Sequence, residues 1–582
     1  MARSLIYART AFAHDDGMRP LQRCGWRAAS FAGWISLILF TAIAARAVEF
    51  RRLSVTEYRS KMTAGWLGQM AGVSWGAPTE FKWEDAIIPA DKVPEWKPTL
   101  INAAFPQDDL YVEMTFLRTL ERHGLEASIR QVGIDFANSG YPLWCANNAG
   151  RNNLRKGIAP PDSSHPQFNK CPNDIDYQIE ADFSGLIAPG LPQFAIECGE
   201  KFGRLMNYGD GMYAGQFIGA LYAAAFFETE PVQLIETALA AIPRDCQYAE
   251  MVRDVVAWHQ ANPDAWEKTW QLCQQKYREN PEYQKASNGG IDCKINGAYV
   301  LLGLLYGQRD FDRTMVIAMR AGQDSDCNPS SAGGVLFTTY GAGKIPARFT
   351  SALDELEVFS HTEYTFPKLL AVSEQLARQV ILRAGGKIVT ENGEEIFLIP
   401  VQSPQPSPLV LSWSPGPIAD SRFTPEEMAQ ITARNVPRAV TLAAGDILPG
   451  WEVNDCGTDM NPGLREEYAG RNNVLLTHPL DRETGCVLSR KVNLPVDKKS
   501  TLRITVAHDT RGDFDLIVRV NGEELLRKPV SSQTTTDDPW LMQDVDLSGF
   551  AGQQGVKVEL INQPSDWSYE AAYWADLRIV SR

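Results

Sequence analysis

The chain has 582 residues, of which 44% are hydrophobic and 22% charged, so a packed core is feasible and global disorder is excluded. Its net charge of −15 argues against sequence-unspecific binding to nucleic acid or to anionic membranes, since both need a basic footprint. The sequence contains no P-loop motif, no His-Glu-x-x-His and no Cys-x-x-Cys, so the nucleotide and zinc sites built on them have no support. We expect a monomer.

The first 47 residues are typical of an export signal. Three arginines between residues 19 and 27 precede an apolar stretch at residues 31–45, which is shorter than the ~20 residues of a spanning helix. Ala45-Arg46-Ala47 then offers small residues for cleavage. We therefore predict a signal peptide over residues 1–47, an exported protein (periplasmic or extracellular) and no stable membrane span after cleavage. An uncleaved anchor is the alternative reading, and Met18 is an alternative start.

Residues 48–384 carry a helical pattern. Val232, Ile235 and Leu239 follow helical spacing behind a proline, which is a good first-turn residue. The stretches 211–227 and 295–306 are too apolar for surface helices and predict buried central ones. Alternating strand patterns are scarce here, so we predict an all-α domain.

The pattern changes after residue 384. Asn392-Gly393 is a hairpin signal, and five prolines between residues 404 and 417 indicate an extended connector, which we place at residues 385–443. From residue 444 onward, short stretches alternate polar and apolar residues, as at 502–506, 514–520 and 556–560. Residues 444–582 are therefore predicted to form an all-β sandwich, like a jelly roll. Cys456 and Cys486 are a plausible disulfide within it, since export permits disulfides.

One motif for nucleophilic catalysis occurs in a context that argues against it. Residues 72–76 read Gly-Val-Ser-Trp-Gly, which matches the nucleophile elbow of serine hydrolases. That elbow needs a strand, a sharp turn and a helix, whereas residues 58–71 predict a helix with small residues for close packing. We therefore favour helix packing over a catalytic Ser74.

Two acidic clusters are better candidates for chemistry. Asp108-Asp109 opens an apolar-periodic stretch, and helix capping by itself explains such a pair. Asp324-Ser325-Asp326 lies in a glycine-bounded loop, where a solvated loop is the alternative. Buried carboxylates are costly unless a cation compensates them, and all-oxygen ligation suits Mg²⁺. The clusters are therefore candidate ligands for a hard divalent cation such as Mg²⁺.

The ordered set of motifs resembles the ADP-ribosylglycohydrolase (dinitrogenase reductase-activating glycohydrolase-like) family over roughly residues 55–350. That family has an all-α fold with a two-metal magnesium site between helices. Its glycine-rich first motif, its Ser/Thr-Asp-Asp-Thr motif, its middle glycine motif and its Gly-x-Asp-x-Asp-Thr motif are similar to residues 65–80, 107–110, 208–213 and 322–327.

The resemblance implies a role for each matching residue. Ligation of one or two Mg²⁺ ions, with Mn²⁺ as the alternative, falls to Asp108, Asp109, Asp324 and Asp326. Catalysis falls to Glu80, Asp109 and Asp324. A solvated loop carboxylate is the alternative for Glu80, and a helix cap is the alternative for Asp210. The substrate-binding residues implied are Gln107, Gly209, Asp210, Gly211, Tyr213, Cys327 and Asn328.

Several partners of these aspartates depart from the family pattern. Val73 stands where the family has an aspartate, Gln107 and Leu110 flank the first aspartate pair, and Cys327 follows the second. A glutamine carbonyl suits a hard cation, but cysteine is a soft ligand that suits Mg²⁺ poorly. The departures leave open a single metal ion, a changed substrate or a lost activity.

The resemblance implies a metal-dependent hydrolase that cleaves an N- or O-glycosidic, ADP-ribosyl-like bond with an activated water. A secreted glycoside hydrolase acting on an extracellular glycan is the first alternative, and a non-catalytic glycan-binding protein is the second. The sandwich resembles galactose-binding-like modules of carbohydrate-active enzymes. Four of its tryptophans are candidates for stacking on sugars, with a place in the core as the alternative: Trp451, Trp540, Trp567 and Trp574.

Overall fold

The computed structural model describes residues 49–287, 291–433, 436–535 and 538–582. The predicted signal peptide at residues 1–47 lies outside the described residues, so export stays a prediction. Among the described helices, none is both long enough and apolar enough to cross a membrane.

A helical region follows the first strand, β1 (Phe50–Ser54), and confirms the predicted all-α class. Its helices begin with capping residues that the sequence offers, as where the Ser54 hydroxyl accepts a hydrogen bond from Glu57 N at 3.1 Å. The helices are α1 (Val55–Gly76), α2 (Asp108–His123), α3 (Ile129–Ala137), α4 (Ala146–Arg155), α5 (Asp176–Ile179), α6 (Asp182–Leu186), α7 (Pro192–Lys201), α8 (Asp210–Ala225), α9 (Pro231–Leu239), α10 (Gln247–Ala261), α11 (Trp266–Cys273), α12 (Cys293–Tyr306), α13 (Phe311–Arg320), α14 (Cys327–Tyr340) and α15 (Phe366–Arg383).

Helices α8 and α12 are buried along their whole length, as their apolar sequences predict. Helix α1 packs against α14 at backbone distance. A Cβ added to Gly72 would lie 2.1 Å from Pro329 O, and one on Gly68 would lie 2.5 Å from Gly333 O. Glycine is therefore required at this crossing, and the close approach determines where the loop before α14 lies.

Ser74 lies inside α1, with its hydroxyl buried. The sharp strand-to-helix turn that a nucleophile elbow requires is absent at this position. The interpretation of residues 72–76 as a packing motif is therefore confirmed.

The predicted hairpin after the helical region joins β2 (Lys387–Glu391) and β3 (Glu394–Pro400). Asn392 and Gly393 both have positive φ, at 51° and 86°, as the tight turn requires. Strand β3 also pairs with β1, so the hairpin forms a three-stranded antiparallel sheet with the start of the helical region. The connector then continues through α16 (Pro425–Met428).

Two five-stranded antiparallel sheets form the predicted sandwich, with strand orders β10-β9-β12-β7-β4 and β11-β8-β13-β6-β5. Alternate side chains such as Leu502, Ile504 and Val506 fill the core between them. The elements are α17 (Arg438–Ile447), β4 (Glu452–Asn454), β5 (Gly463–Tyr468), β6 (Arg471–Thr477), β7 (Cys486–Val492), β8 (Ser500–His508), β9 (Phe514–Val520), β10 (Glu523–Val530), α18 (Ser532–Thr535), β11 (Trp540–Asp546), β12 (Val556–Gln563) and β13 (Ala572–Ser581).

The tryptophans proposed to stack on sugars are mostly core residues. Trp451, Trp540 and Trp574 are buried, and Trp574 Nε1 donates to Thr477 Oγ1 at 2.8 Å. Trp567 is half-buried and packs edge-on against His478. The alternative that most of these side chains serve the core is therefore the correct one.

The predicted disulfide between Cys456 and Cys486 is wrong. Both residues are free thiols, which lie together in the sandwich core and share a hydrogen bond. The disulfide in the described residues instead joins Cys145 and Cys171 in the helical region, where two loops converge beside α4. The sequence therefore predicted the proximity of Cys456 and Cys486 but not their free thiols, and it did not single out the loops that carry Cys145 and Cys171.

Candidate metal centre

The two aspartate clusters stand at the starts of two helices. Asp108 and Asp109 are the first residues of α2, behind Gln107 as N-cap residue. Asp326 is the N-cap residue of α14, and Asp324 precedes it in the loop. Carboxylates at these ends are favoured by the free N–H groups and the positive end of the helix dipole.

Close backbone packing positions the second loop. A Cβ added to Gly76, at the end of α1, would lie 2.1 Å from Ser325 O, so only glycine lets the loop approach. Thr79 Oγ1 and Ser325 Oγ share a 2.8 Å hydrogen bond across the same contact. Asn296 Oδ1 accepts hydrogen bonds from Asp324 N at 3.3 Å and Asn328 Nδ2 at 2.9 Å. Three segments therefore hold this loop: the end of α1, the turn after it and α12.

Cys327 joins the two clusters. Its Sγ donates to Asp109 Oδ1 at 2.9 Å. Potential ligand atoms of Asp108, Asp109 and Cys327 lie within 4.8 Å of one another, and the same holds for Asp324, Asp326 and Cys327. The structure thus brings all four predicted metal ligands to one place, with the sulfur between them.

Among the described residues, no cation compensates this largely buried cluster. Asp109 Oδ2 and Asp324 Oδ1 lack a hydrogen-bond partner among the described residues, although Asp109, Asp324 and Asp326 are all at most 3% exposed. Burial and the neighbouring carboxylates raise the pKa of Asp109 and Asp324 well above their usual range, and the pKa of Asp326 to about 6. Orphaned carboxylate oxygens in a dry site are the donor set that a hard divalent cation takes, so the residues fit Mg²⁺ or Mn²⁺.

Glu80 stands at the rim of the cluster, after the short 3₁₀ turn that ends α1. Partial burial, with Asp326 and Asp108 nearby, raises the pKa of its carboxyl to about 7. At neutral pH this group is therefore divided between its protonated and ionised forms, which suits a residue that accepts or returns a proton.

Two acidic residues beside the cluster, Asp176 and Glu180, were not predicted from the sequence. Asp174, which bridges to Asp292, was not predicted either. Asp176 Oδ2 accepts from Asn147 N at 2.8 Å, and Glu180 Oε1 accepts from Asn147 Nδ2 at 2.9 Å. Burial raises the pKa of Asp176 to about 7, and the charge of Asp108 adds to this effect. Asp174-Ile175-Asp176 repeats the Asp-x-Asp spacing of residues 324–326, and that signal was available in the sequence.

Trp144 is a further residue that the sequence did not single out. Its indole Nε1 donates a hydrogen bond to Asp108 Oδ2, while 60% of the residue stays exposed. The adjacent Cys145 is tied by the disulfide to Cys171. An aromatic face thus lies open to solvent directly beside the aspartate cluster.

A family model for ADP-ribosylglycohydrolases matches residues 54–385, which is more than half of the chain. The chain belongs to the ADP-ribosylglycohydrolase family. The match covers the helical region and ends before β2, so the sandwich lies outside it. A solved structure titled "ADP-ribosylglycohydrolase-related protein complex" is 15% identical, with 56% of this chain and 100% of that chain covered and a TM-score of 0.33. No curated protein matches the chain.

Of the residues that depart from the family pattern, some are buried in the core and others lie at the aspartate cluster. Val73 and Leu110 are buried apolar side chains and offer no ligand atom. Gln107 is half-buried next to Asp108, so its implied substrate contact stays a prediction. Cys327 contacts Asp109, and Asn328 holds Asn296, as described above.

The glycine motif of this family member packs against the connector. Tyr213 Oη donates to Pro408 O at 2.7 Å and accepts from Val410 N at 2.8 Å. A Cβ on Gly209 would lie 2.4 Å from Ser412 Oγ, and one on Gly211 would lie 2.4 Å from Pro172 O. These contacts account for the motif through packing, and its role in substrate binding stays a prediction.

Asp210 belongs to a second buried charged cluster. Its Oδ1 accepts from Tyr248 N at 2.8 Å, so it caps the start of α10 rather than its own helix. Close by, Asp292 and Lys294 form a 2.9 Å ion pair whose side chains are fully buried. Burial raises the pKa of Asp210, and the charge of Lys294 opposes that rise.

Proposed function

We propose that the chain is a metal-dependent glycosyl hydrolase that cleaves an N- or O-glycosidic bond of ADP-ribosyl type. The single observation that carries the proposal is the buried cluster of four aspartates with orphaned oxygens, in a chain that belongs to this family. Asp108, Asp109, Asp324 and Asp326 would hold one or two Mg²⁺ ions. Bound Mg²⁺ would supply a Lewis acid that orients sugar hydroxyls, acidifies a water and stabilises developing negative charge.

The chain's own residues supply the remaining parts of the reaction. Glu80 lies at the open side of the cluster, where its carboxylate oxygen can take a proton from the attacking water. Trp144 Nε1 and Cys327 Sγ each donate to one aspartate of the first pair and so fix the orientation of both carboxylates. Asn296 holds the second loop in register with them. The glycosidic bond then breaks through an oxocarbenium-like state, which nearby carboxylates stabilise.

A secreted glycoside hydrolase acting on an extracellular glycan is the second candidate. One observation favours it: a cavity beside Trp144 is lined by residues of both the helical region and the sandwich. Because the sandwich, which lies outside the family match, lines part of this cavity, the cavity suits a substrate larger than a single glycosyl unit.

Hydrolysis assays with purified protein test the proposal. The protein is incubated with an ADP-ribosylated peptide and, separately, with polysaccharides, each with Mg²⁺ or with EDTA. We expect release of free ADP-ribose that depends on Mg²⁺ and falls by about 100-fold or more in Glu80→Gln and Asp324→Asn. Release of reducing sugar from polysaccharide alone would favour the second candidate.

The matched control is Glu84→Gln, which removes an exposed carboxylate from the same loop without touching the cluster. Its activity should equal that of the unaltered protein. Glycan retention without turnover, unchanged by EDTA, would contradict both enzyme proposals and favour a non-catalytic binding protein.

A further inference from the structure

A cavity of about 310 Å³ opens beside Trp144. Residues 140–144 and α4 form one wall, and residues 456–458 with Leu480 of the sandwich form part of the other. Its volume is at the lower end of the range for small-molecule sites, roughly 300 to 1,000 Å³. Because Trp144 both lines the cavity and donates to Asp108, the cavity adjoins the aspartate cluster directly.

The cavity is lined by two cations that stand one helical turn apart on α4, Arg151 and Arg155. Arg151 is 8% exposed, and its Nη1 donates to Tyr141 O at 2.7 Å. Its Nε is buried and has no hydrogen-bond partner among the described residues. A buried N–H group without an acceptor is costly, and a ligand oxygen could accept the hydrogen bond that Arg151 Nε does not make within the described residues.

The charged side chains that line the cavity favour an anion, while Asp108 lies behind Trp144 and outside the lining. No Asp or Glu is among the described residues that line it, although the chain carries a net charge of −15. Asp455, next to the lining, interacts with Arg155, which leaves Arg151 as the cation with the least compensation. Burial lowers the pKa of both guanidinium groups, and the charge of Arg151 further lowers that of Arg155, to about 9. A bound anion would relieve this repulsion.

We propose that the cavity is a subsite for a negatively charged group of the glycosyl substrate, and that the sandwich forms part of its wall. The group is a carboxylate, as in a uronic acid, or a sulfate or phosphate ester on the sugar beside the scissile bond. Assigning this group to a substrate rests on the proposed function, whereas anion binding in the cavity does not.

The contacts between the two regions support a fixed wall. Lys170 Nζ and Glu483 Oε1 form a 2.5 Å ion pair, and Lys156 Nζ donates to Thr484 Oγ1 at 2.9 Å. Both contacts hold the turn that follows Leu480 against the helical region. Exposed pairs of this kind add little to stability, but they determine which turn of the sandwich faces the cavity.

Binding of four matched sugars to the full-length protein tests the proposal without hydrolysis. Glucose, glucuronate, glucose 6-sulfate and glucose 6-phosphate differ only at carbon 6, and each is titrated by calorimetry in EDTA so that no metal contributes. We expect at least one anionic sugar to bind about tenfold more tightly than glucose, as charge-assisted hydrogen bonds imply. The anionic sugar that binds best identifies the charged group.

Variants on both walls locate the binding. Arg151→Gln should abolish the preference for the anion. Because Arg151 also supports the backbone, Thr458→Glu tests the same point from the exposed sandwich side, and it should weaken anion binding by about tenfold through like charge. Gln554→Glu is the control. It adds the same charge at an exposed turn before β12, at the other end of β7 from Cys486, and it should leave anion binding unchanged.

Three results would overturn the proposal. They are equal binding of glucose and the anionic sugars, no binding of any of the four sugars, and anion binding that Thr458→Glu leaves unchanged. Binding that Thr458→Glu leaves unchanged would show that the sandwich is not part of the subsite. Anion binding that follows the expected pattern in a protein without hydrolase activity would support the subsite while contradicting the proposed function.

Discussion

Two clusters of buried carboxylates in the helical region differ in how their negative charge is compensated. Around Asp292, an internal cation is present: Lys294 forms a fully buried ion pair with it and offsets the charge of Asp210. Around Asp109 and Asp324, the described residues supply no cation, and carboxylate oxygens are left without partners. The first cluster has a cation within the chain, whereas we propose that the second takes its cation from solution.

Removing the internal cation should produce the largest effect. Lys294→Met leaves Asp292 and Asp210 buried without compensation, so we expect the free energy of unfolding to fall by ~3–5 kcal/mol in urea titrations. Adding Asp292→Asn to the variant should restore part of the loss, since the uncompensated charge is removed. A loss below ~1 kcal/mol in the single variant would show that Lys294 does not stabilise this cluster.

Supplying the external cation should have the next largest effect. Mg²⁺ at 100 times its dissociation constant should raise the free energy of unfolding by ~2.7 kcal/mol, measured as a shift of the unfolding transition. Asp324→Asn should lose this shift. Asp210→Asn alters the other cluster and should keep it, even from a lower starting stability. An undiminished shift in Asp324→Asn would place the metal elsewhere.

Without metal, lowering the pH should partly restore stability, because protonation neutralises the buried carboxylates. Burial and nearby carboxylates raise the folded-state pKa of Asp326 to about 6, above its unfolded value near 3.9. The folded protein therefore binds more protons, and in EDTA this contribution stabilises it at low pH and is lost as pH rises through about 6. We expect a stability gain of ~1 kcal/mol or more between about pH 8 and pH 5.

The readout is the difference between the unaltered protein and Asp326→Asn, because three histidines with lowered pKa oppose the gain: His259, His361 and His478. Saturating Mg²⁺ should remove or invert the difference, since protons then compete with the metal. A difference with the opposite sign in EDTA would contradict the raised pKa of Asp326.

The smallest effect concerns the choice of metal. Cys327→Ser replaces a soft sulfur between the aspartate pairs by a harder oxygen. We expect the ratio of Zn²⁺ to Mg²⁺ affinity to fall by roughly fivefold, ~1 kcal/mol, in competition calorimetry. Cys293→Ser changes a buried thiol outside the aspartate cluster and is the matched control. An unchanged ratio in Cys327→Ser would show that the sulfur is not a ligand.

Much of the architecture could be predicted from local patterns. Helical spacing identified the buried central helices, and period-two alternation identified strands such as β8 and β9, because these signals depend on neighbours in the chain. The four aspartates were recognisable because each pair is local, and their order along the chain matches the family's motifs.

What needed the tertiary structure is which distant segments meet. Asp176 and Glu180 lie beside Asp108, and Trp144 donates to it, although no local pattern links these residues. The sequence also left open which tryptophans of the sandwich are core rings, since composition does not tell a core ring from an exposed one.

The sequence by itself therefore determined the two fold classes, the family and the pairs of carboxylates, since periodicity and motif order are written in neighbouring residues. Only the tertiary structure decided that the pairs face one another across Cys327, that Lys294 serves a different cluster, and that the sandwich borders the cavity beside Trp144. The physical reason is that carboxylates need a compensating cation when they are buried and close to one another, and both conditions arise only when the helices pack.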